Sequence, residues 1–262
     1  MTAPAATLTR DGVVARVTLE RPEARNALSR AMADALEDAL ARLAADDEAR
    51  VVVVAGRGRS FCAGADIAVM KASANASFEE NLADAKRLAG LFAGVADFPK
   101  PVVARVHGNV LGGGVGLVCA CDIVVASDDA RFGLTEVRLG ILPAIISPYV
   151  IRRLGDARAR ELMLTGERFD AATALRVKLV HHLAPAAELD AKVEERVQAL
   201  LAGAPHAQTR VKMLLELWGE VSWEEYRAAL PRTLAEVRGG DEAREGFTAF
   251  FEKRKPGWVA EK

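Results

Sequence analysis

Runs of β-branched and apolar residues recur through the first half of the chain and predict the strands of a buried sheet. Residues 51–55 and 102–106 are almost continuous apolar runs, which are typical of parallel strands covered on both faces. Residues 122–126 repeat the pattern, and residues 12–20 predict an earlier strand that ends before Pro22.

Between and after these runs, apolar residues recur at the spacing of one helix face. Such a face covers residues 31–45, where Ser29 is placed to cap the first turn, and another covers residues 78–97. Residues 70–77 are small and polar and predict a mobile loop. From residue 152 the pattern is predicted to be wholly helical, with helices near 156–165, 170–176, 188–202, 205–218, 222–237 and 240–253.

This order of elements predicts an α/β fold with parallel strand pairing. Residues 1–200 are expected to form the core, and residues 201–262 a helical appendage. No stretch rich in Pro, Gly or Ser separates the two as independent domains.

Composition narrows the classes of function. The 262 residues carry 35 Lys and Arg against 36 Asp and Glu, and a net charge of −1 argues against a nucleic-acid partner. Four histidines, of which only His181 and His182 are close together, do not supply the usual zinc motifs, so no catalytic metal is expected. Three cysteines are too few for a disulfide framework and predict reduced thiols. With no secretory signal or membrane span in the pattern, we expect a cytoplasmic protein.

Two loops that contain glycine follow neighbouring predicted strands. Residues 60–67 follow one strand and open a short helix, and residues 107–116 follow the next with five glycines. Ligands of open α/β sheets bind at such strand ends, where two backbone N–H groups could form an oxyanion hole. The alternative is close packing between a helix and a strand, which is the commoner role of a triple glycine on its own.

Glu136 lies among apolar residues in the segment 131–148. Burial there would raise the pKa of its carboxyl and suit it to exchange a proton near neutral pH. The alternative is an exposed glutamate paired with Arg131 or Arg138, and the pattern favours neither.

Nearly the whole chain resembles the enoyl-CoA hydratase/isomerase (crotonase) superfamily. Seven segments occur in the order and spacing of that family: residues 21–28, 61–66, 107–114, 121–123, 132–143, 164–169 and 245–254. The resemblance implies a crotonase-like β/α spiral core of ββα repeats with a C-terminal helical trimerisation region, assembled as a homotrimer or a dimer of trimers.

The resemblance also implies the substrate and the site. The substrate would be an acyl-CoA thioester, so coenzyme A enters as part of the substrate and no separate cofactor is expected. The N–H groups of Ala65 and Gly113 would hold the thioester oxygen, and Glu136 would carry the proton. The coenzyme A moiety is expected near Ala24, Arg25, Ala63, Asp66, Ile67, Phe250 and Lys253, the last two on the C-terminal helix of the same or a neighbouring subunit.

The chain departs from the family pattern at two places. Hydratases of the family commonly carry two glutamates, and the first of them maps onto Gly116, which tilts the chemistry towards a Δ3,Δ2-enoyl-CoA isomerase. However, residues 135–148 resemble bacterial methylglutaconyl-CoA and carboxygeranoyl-CoA hydratases, which also lack the first glutamate. Our leading hypothesis is therefore hydration of a branched or carboxylated 2-enoyl-CoA, as in leucine or isoprenoid breakdown. A non-catalytic acyl-CoA-binding protein is the third reading.

The candidates for lining the acyl pocket are Met70, Leu88, Leu91, Phe92, Ile141, Ile145 and Ile146, and ordinary core packing is the alternative for each of them. A distal carboxylate on the substrate would need a cation, for which Lys71 is the candidate and a solvated lysine the alternative. Cys62 lies within the first loop, but we do not expect it to act as a nucleophile, because no base partner lies near it in the sequence.

Overall fold

The strands pair into two sheets in the computed structural model, which describes residues 4–259 of the chain. In chain order the strands are β1 Ala6–Asp11, β2 Val14–Leu19, β3 Val51–Gly56, β4 Ser60–Cys62, β5 Val102–Val106, β6 Asn109–Leu111, β7 Ile123–Ser127, β8 Arg131–Gly133, β9 Arg168–Asp170 and β10 His182–Ala184. The helices are α1 Arg30–Ala44, α2 Ile67–Ser73, α3 Phe78–Ala96, α4 Gly113–Ala120, α5 Ser147–Leu154, α6 Asp156–Thr165, α7 Ala171–Arg176, α8 Leu189–Leu201, α9 Pro205–Glu220, α10 Trp223–Arg238 and α11 Asp241–Glu252.

The larger sheet has the strand order β1-β2-β3-β5-β7-β10. β1 and β2 form an antiparallel hairpin, and every other pair in this sheet is parallel. All six residues of β3 are buried, because Val52 and Val54 face the main core beneath α1 and α3 while Val51 and Val53 face α8. The two-sided burial that the apolar run predicted is confirmed, and so is the α/β class with parallel pairing.

Helix α1 begins where the sequence predicted. The Ser29 hydroxyl accepts a hydrogen bond from the Met32 N–H at 3.2 Å, which satisfies one of the unpaired donors of the first turn. Four apolar side chains of its inner face are buried: Met32, Leu36, Leu40 and Leu43.

The smaller sheet, with the order β4-β6-β8-β9, was not predicted. Each of its strands has only three residues, which is too short for the alternation of apolar and polar positions to be recognised. Its first three strands are parallel and the last is antiparallel. This sheet matters for function, because it joins both glycine loops to the segment that carries Glu136.

Two predictions about secondary structure were wrong. Residues 70–77 are not one loop, since α2 continues through Ser73 before a short connection to α3. Helix α2 is capped at its N-terminus by Asp66, whose side chain accepts a hydrogen bond from the Ala68 N–H at 2.8 Å and so stabilises the first turn. The chain after residue 152 is not wholly helical either, since β9 and β10 interrupt it, although the six predicted helices are all present.

Helices α9, α10 and α11 follow residue 201, and several of their large apolar side chains are exposed, among them Trp218, Phe247 and Phe250. Within residues 4–259 no helix combines the length and the apolar character needed to cross a membrane.

Candidate active site

The small sheet brings the two glycine loops and the Glu136 segment to one cavity. β4 and β6 are parallel neighbours and β8 lies next to β6, so the residues that follow these strands leave the same edge of the sheet. The cavity has a volume of about 310 Å³ and a mainly apolar lining. Its lining residues are Leu28, Ser29, Arg30, Ala33, Ala65, Val69, Asp84, Ala85, Arg87, Leu88, Phe92, Gly113, Glu136, Leu142, Pro143, Ala144, Ile145 and Ile146.

The backbone on both sides of Ala65 is fixed by Leu28. The Leu28 N–H donates to the Gly64 oxygen at 2.7 Å, and the Asp66 N–H donates to the Leu28 oxygen at 3.1 Å. The Ala65 N–H takes part in neither bond, and no acceptor within residues 4–259 is bound to it. Ala65, which lines the cavity, therefore has an N–H without an acceptor on a backbone segment held by Leu28.

Gly113 supplies a second donor of the same kind. It is the first residue of α4, so its N–H has no partner within the helix. Gly112 before it has a φ of 50°, which turns the chain from β6 into the helix and favours glycine. A donor at a helix N-terminus also carries the partial positive charge of the helix dipole, which suits it to stabilise a developing negative charge.

Glu136 begins a short 3₁₀ turn and is half-buried at the cavity. Its Oε2 atom is buried and has no hydrogen-bond partner within the described residues. Burial raises the pKa of the Glu136 carboxyl above its usual value, because the ionised form loses hydration, and the hydrogen bond from its own backbone N–H offsets this only in part. Of the two readings of the sequence, the structure supports the buried carboxyl, since neither Arg131 nor Arg138 forms an ion pair with it.

The Glu136 side chain lies directly over the turn at Gly112. A Cβ atom at residue 112 would lie 2.9 Å from Oε1 of Glu136. The carboxylate thus occupies space that only a glycine leaves free, beside the donor of Gly113.

A second carboxylate has no room on α4. A Cβ atom at Gly116 would lie 2.7 Å from Cβ of Ile146 and 3.2 Å from Cε1 of Phe92. The position to which the first family glutamate maps is therefore filled by packing, and the cavity keeps Glu136 as its acidic group near the two N–H donors.

Asp66, which was predicted to contact coenzyme A, forms hydrogen bonds with other residues of the same chain. Its Oδ2 accepts a hydrogen bond from Nη1 of Arg21 at 2.7 Å, and this bond is the main reason why its pKa is lowered. Only 8% of the residue is exposed. The pair fixes the loop that carries Ala65, and a contact of Asp66 with coenzyme A stays a prediction.

Asn26 was missed by the sequence analysis and holds the same region. It is fully buried, and its amide nitrogen donates to the backbone oxygens of Arg57 at 2.9 Å and Ser60 at 2.8 Å. Its Oδ1 accepts from the Arg21 N–H at 2.9 Å. Its left-handed backbone, with a φ of 55°, is a conformation that asparagine tolerates.

The other residues predicted to bind coenzyme A fall into two groups. Ala24, Arg25 and Ala63 lie together, because the Ala63 N–H donates to the Arg25 oxygen at 3.0 Å, and Ile67 is 70% exposed at the start of α2. Phe250 and Lys253 lie at the exposed C-terminal end of α11. Neither of these two lines the cavity within the single chain.

The residues predicted to line the acyl pocket also divide. Leu88, Phe92, Ile145 and Ile146 line the cavity. Met70 is half-buried on α2, Lys71 is exposed on the same helix, Ile141 is exposed beside the 3₁₀ turn, and Leu91 is fully buried in the core. These four are not lining residues, and a role for Met70, Lys71 and Ile141 in substrate binding stays a prediction.

Three charged residues at the cavity were missed: Arg30, Asp84 and Arg87. They lie on α1 and α3, and their positions in helices gave no local signal that distinguished them from solvated charges. Only the packing of α3 beside α1 brings them to one cavity.

Similarity to known proteins extends over nearly the whole chain. Residues 9–261 match the family described as Enoyl-CoA hydratase/isomerase. The chain is similar to the solved structure of an enoyl-CoA hydratase from Shewanella pealeana, with a TM-score of 0.93 and 38% identity over 97% of this chain and 96% of that one.

Two curated relatives carry more specific names. The mevalonyl-coenzyme A hydratase sidH of Aspergillus fumigatus is 38% identical over 246 residues, covering 92% of this chain and 90% of its own. The carnitinyl-CoA dehydratase of Proteus mirabilis is 36% identical over 262 residues, covering 96% and 97%. Both names describe the addition or removal of water on a coenzyme A thioester.

Proposed function

The chain belongs to the enoyl-CoA hydratase/isomerase family, and from that premise we propose that it hydrates a branched or carboxylated 2-enoyl-CoA at the cavity lined by Glu136. The observation that carries the proposal is the half-buried carboxyl of Glu136, whose Oε2 atom has no hydrogen-bond partner within residues 4–259, at the same cavity as the backbone N–H groups of Ala65 and Gly113. This arrangement can supply both the proton carrier and the oxyanion donors for addition of water to a conjugated thioester.

In the proposed reaction, the thioester oxygen accepts hydrogen bonds from the N–H groups of Ala65 and Gly113. Negative charge develops on that oxygen as an enolate forms, and fixed donors stabilise it without reorganisation. Loss of one such donor typically costs about 10²–10³ in rate.

Glu136 acts as base and then as acid. Its carboxylate takes a proton from a water molecule while the water oxygen bonds to the β-carbon of the substrate and the C=C electrons move towards the thioester. The protonated Glu136 then returns the proton to the α-carbon, so one water is added and the carboxylate is restored. The raised pKa of the Glu136 carboxyl supports both steps, because it brings the pKa of Glu136 closer to those of the water molecule and the α-carbon with which it exchanges the proton.

The proposal of a branched or carboxylated substrate is supported by a resemblance in sequence, and the size of the cavity bears on the length of the acyl group. Residues 135–148 resemble those of bacterial methylglutaconyl-CoA and carboxygeranoyl-CoA hydratases, which also lack the first glutamate. The cavity of about 310 Å³ is at the small end of ligand sites, which favours a short acyl group.

A Δ3,Δ2-enoyl-CoA isomerase is the second candidate, and the single carboxylate favours it. Moving a double bond needs one group that takes a proton from the α-carbon and returns it two carbons further along the chain. Glu136 could do so without a second acid, and Gly116 leaves no room for one.

A substrate panel separates these readings. Purified protein is incubated with crotonyl-CoA, 3-methylglutaconyl-CoA and a 3-enoyl-CoA, and the absorbance of the conjugated thioester is followed. We expect the conjugated thioester to be consumed, fastest with 3-methylglutaconyl-CoA. Formation of the conjugated thioester from the 3-enoyl-CoA alone would establish the isomerase, and no change with any substrate would favour a non-catalytic binding protein.

The proposal extends to the assembly. Residues 201–262 form the oligomerising region of a trimer or a dimer of trimers, and the exposed apolar side chains of α9 and α11 support it. In such an assembly Phe250 and Lys253 would meet coenzyme A on a neighbouring subunit. Size-exclusion chromatography with light scattering tests the subunit number.

A further inference from the structure

Besides Glu136, the charged residues that line the cavity are Arg30, Asp84 and Arg87. Nε of Arg30 lies 3.3 Å from Oδ1 of Asp84, and this ion pair is neutral as a unit. Arg87 is half-buried on α3, and no carboxylate within residues 4–259 lies within 4 Å of its guanidinium. The group of three residues therefore carries one uncompensated positive charge.

We propose that Arg87 binds a carboxylate on the acyl group of the substrate. The proposal rests on the proposed function only in treating the cavity as the acyl site. In the proposed function the thioester is held by the N–H groups of Ala65 and Gly113, which line the same cavity as Arg87. Because the remaining lining is mostly apolar, an anionic acyl group finds its one free cation within the described lining at Arg87.

The physical case concerns the cost of burying charge. A carboxylate taken into an apolar cavity without a cation loses its hydration and is strongly disfavoured. The guanidinium of arginine offers two parallel N–H donors that match the two oxygens of a carboxylate. A neutral acyl group would instead leave Arg87 half-buried and unpaired, so the same residue would select for the carboxylated substrate.

Phosphate groups of coenzyme A carry the same chemistry and could also reach an arginine at a cavity. The two sources differ in one respect that can be measured. Phosphates are present on every acyl-CoA, whereas the distal carboxylate is present only on some of them.

The test is a binding measurement with saturated thioesters, which cannot be hydrated. Glutaryl-CoA and valeryl-CoA have acyl chains of equal length and differ by the distal carboxylate. Isothermal titration calorimetry is performed with the wild type, Arg87→Gln, Arg87→Lys and the control Lys86→Gln. Lys86 is exposed on the same helix and does not line the cavity, so its substitution removes the same charge from outside the site.

We expect Arg87→Gln to weaken glutaryl-CoA binding by about 10- to 100-fold, the usual range for a hydrogen-bonded charge, with valeryl-CoA almost unaffected. Arg87→Lys should keep part of the preference for glutaryl-CoA, and Lys86→Gln should keep all of it. Circular dichroism confirms that each variant is folded.

Three results would overturn the inference: equal weakening of both thioesters, which would indicate coenzyme A phosphate as the ligand, no weakening of either, or a wild type that binds valeryl-CoA as tightly as glutaryl-CoA. The proposed function fails separately, in the turnover assay, when no 2-enoyl-CoA is hydrated.

Discussion

Gly116 on α4 lies against Ile146, so closely that a Cβ atom at residue 116 would be 2.7 Å from Cβ of Ile146. Ile146 is 4% exposed and lines the cavity, so it cannot move aside without opening the site. A glutamate at residue 116 would therefore need a smaller residue at position 146 as well, because the two positions are packed against each other.

The contact predicts a coupled effect on stability. Gly116→Ala should lower the free energy of unfolding by about 1–3 kcal/mol, the usual cost of overpacking a core. In the background of Ile146→Ala the same change should cost less, because the substitution removes Cγ2 of Ile146, the atom nearest to the added methyl group, although Cβ of residue 146 stays in place. Urea denaturation of the two single variants and the double variant measures the coupling.

Gly90→Ala is the matched control, since it also adds a methyl group to a glycine inside a helix. A Cβ atom there would meet only Oε1 of Glu37, at 3.8 Å. The control should gain about 0.5–1 kcal/mol of stability. If the changes in the free energy of unfolding for Gly116→Ala and Ile146→Ala are simply additive, the contact with Ile146 does not restrict the size of the residue at position 116.

Glu136→Gln should lower kcat by about 10²–10⁴, the typical contribution of a general acid–base group. The amide has nearly the same shape but cannot carry the proton, so binding of a saturated acyl-CoA should be preserved. Steady-state kinetics and calorimetry measure the two effects. Glu220→Gln, an exposed position at the end of α9, is the control and should leave both unchanged.

The raised pKa of Glu136 predicts the pH dependence of activity. The carboxylate must be ionised to act as base, so kcat/KM should fall as the pH drops through a pKa higher than that of an ordinary glutamate. A profile of kcat/KM against pH checks this. A descent only near the pKa of a solvated glutamate would show that the carboxyl is not desolvated in the free enzyme.

The same shift predicts an effect on stability with the opposite sign from a salt-bridged acid. Because the folded state holds the Glu136 proton more tightly than the unfolded state, stability is lost as the pH rises from the unfolded pKa through the raised folded pKa. Glu136→Gln should therefore be more stable than the wild type above that window and similar to it below. Thermal melts at several pH values measure the difference, and a constant difference at all pH values would contradict the prediction.

Gly112→Ala should damage activity more than stability. The substitution strains a backbone with a φ of 50° and places a methyl group 2.9 Å from Oε1 of Glu136. Gly12→Ala is the control, because Gly12 has a similar φ of 55° and open space around its Cβ position. Gly112→Ala should lose at least as much free energy of unfolding as Gly12→Ala, because it adds the contact with Glu136, and only Gly112→Ala should lose most of its kcat. Equal kcat values for the two would show that Glu136 is not displaced.

The thiols should be unreactive in the folded protein. Cys62, Cys119 and Cys121 are buried, and burial raises the pKa of each to about 12, so the thiolate is scarce at neutral pH. Titration with Ellman's reagent should detect none of the three thiols in native buffer and all three in urea. Rapid reaction of one thiol in native buffer would reopen a role for Cys62.

Periodicity and composition by themselves determined much of the fold. The buried runs, such as β3, and the long amphipathic helices, such as α1 and α3, were predicted close to their observed bounds, because each carries enough apolar positions to reveal its period. Ser29 was identified as a cap for a local reason, since its hydrogen bond reaches only three residues along the chain.

Three features depended on the tertiary structure, because their sequence patterns are too short or their partners too far along the chain: the small sheet, helix α2 and the cavity. The three-residue strands of the small sheet are recognised only by their partners, and the helix over α2 depends on Asp66, whose position is set by Arg21 from 45 residues away. The sequence named Ala65, Gly113 and Glu136 as candidates, but only the folded chain lines one cavity with all three, leaves Oε2 of Glu136 unpaired and fills the space at Gly116 with Ile146. Arg87 is a candidate for binding substrate for the same physical reason. Nothing in the sequence distinguishes it from a solvated arginine, and only the packing of α3 beside α1 places it at the cavity.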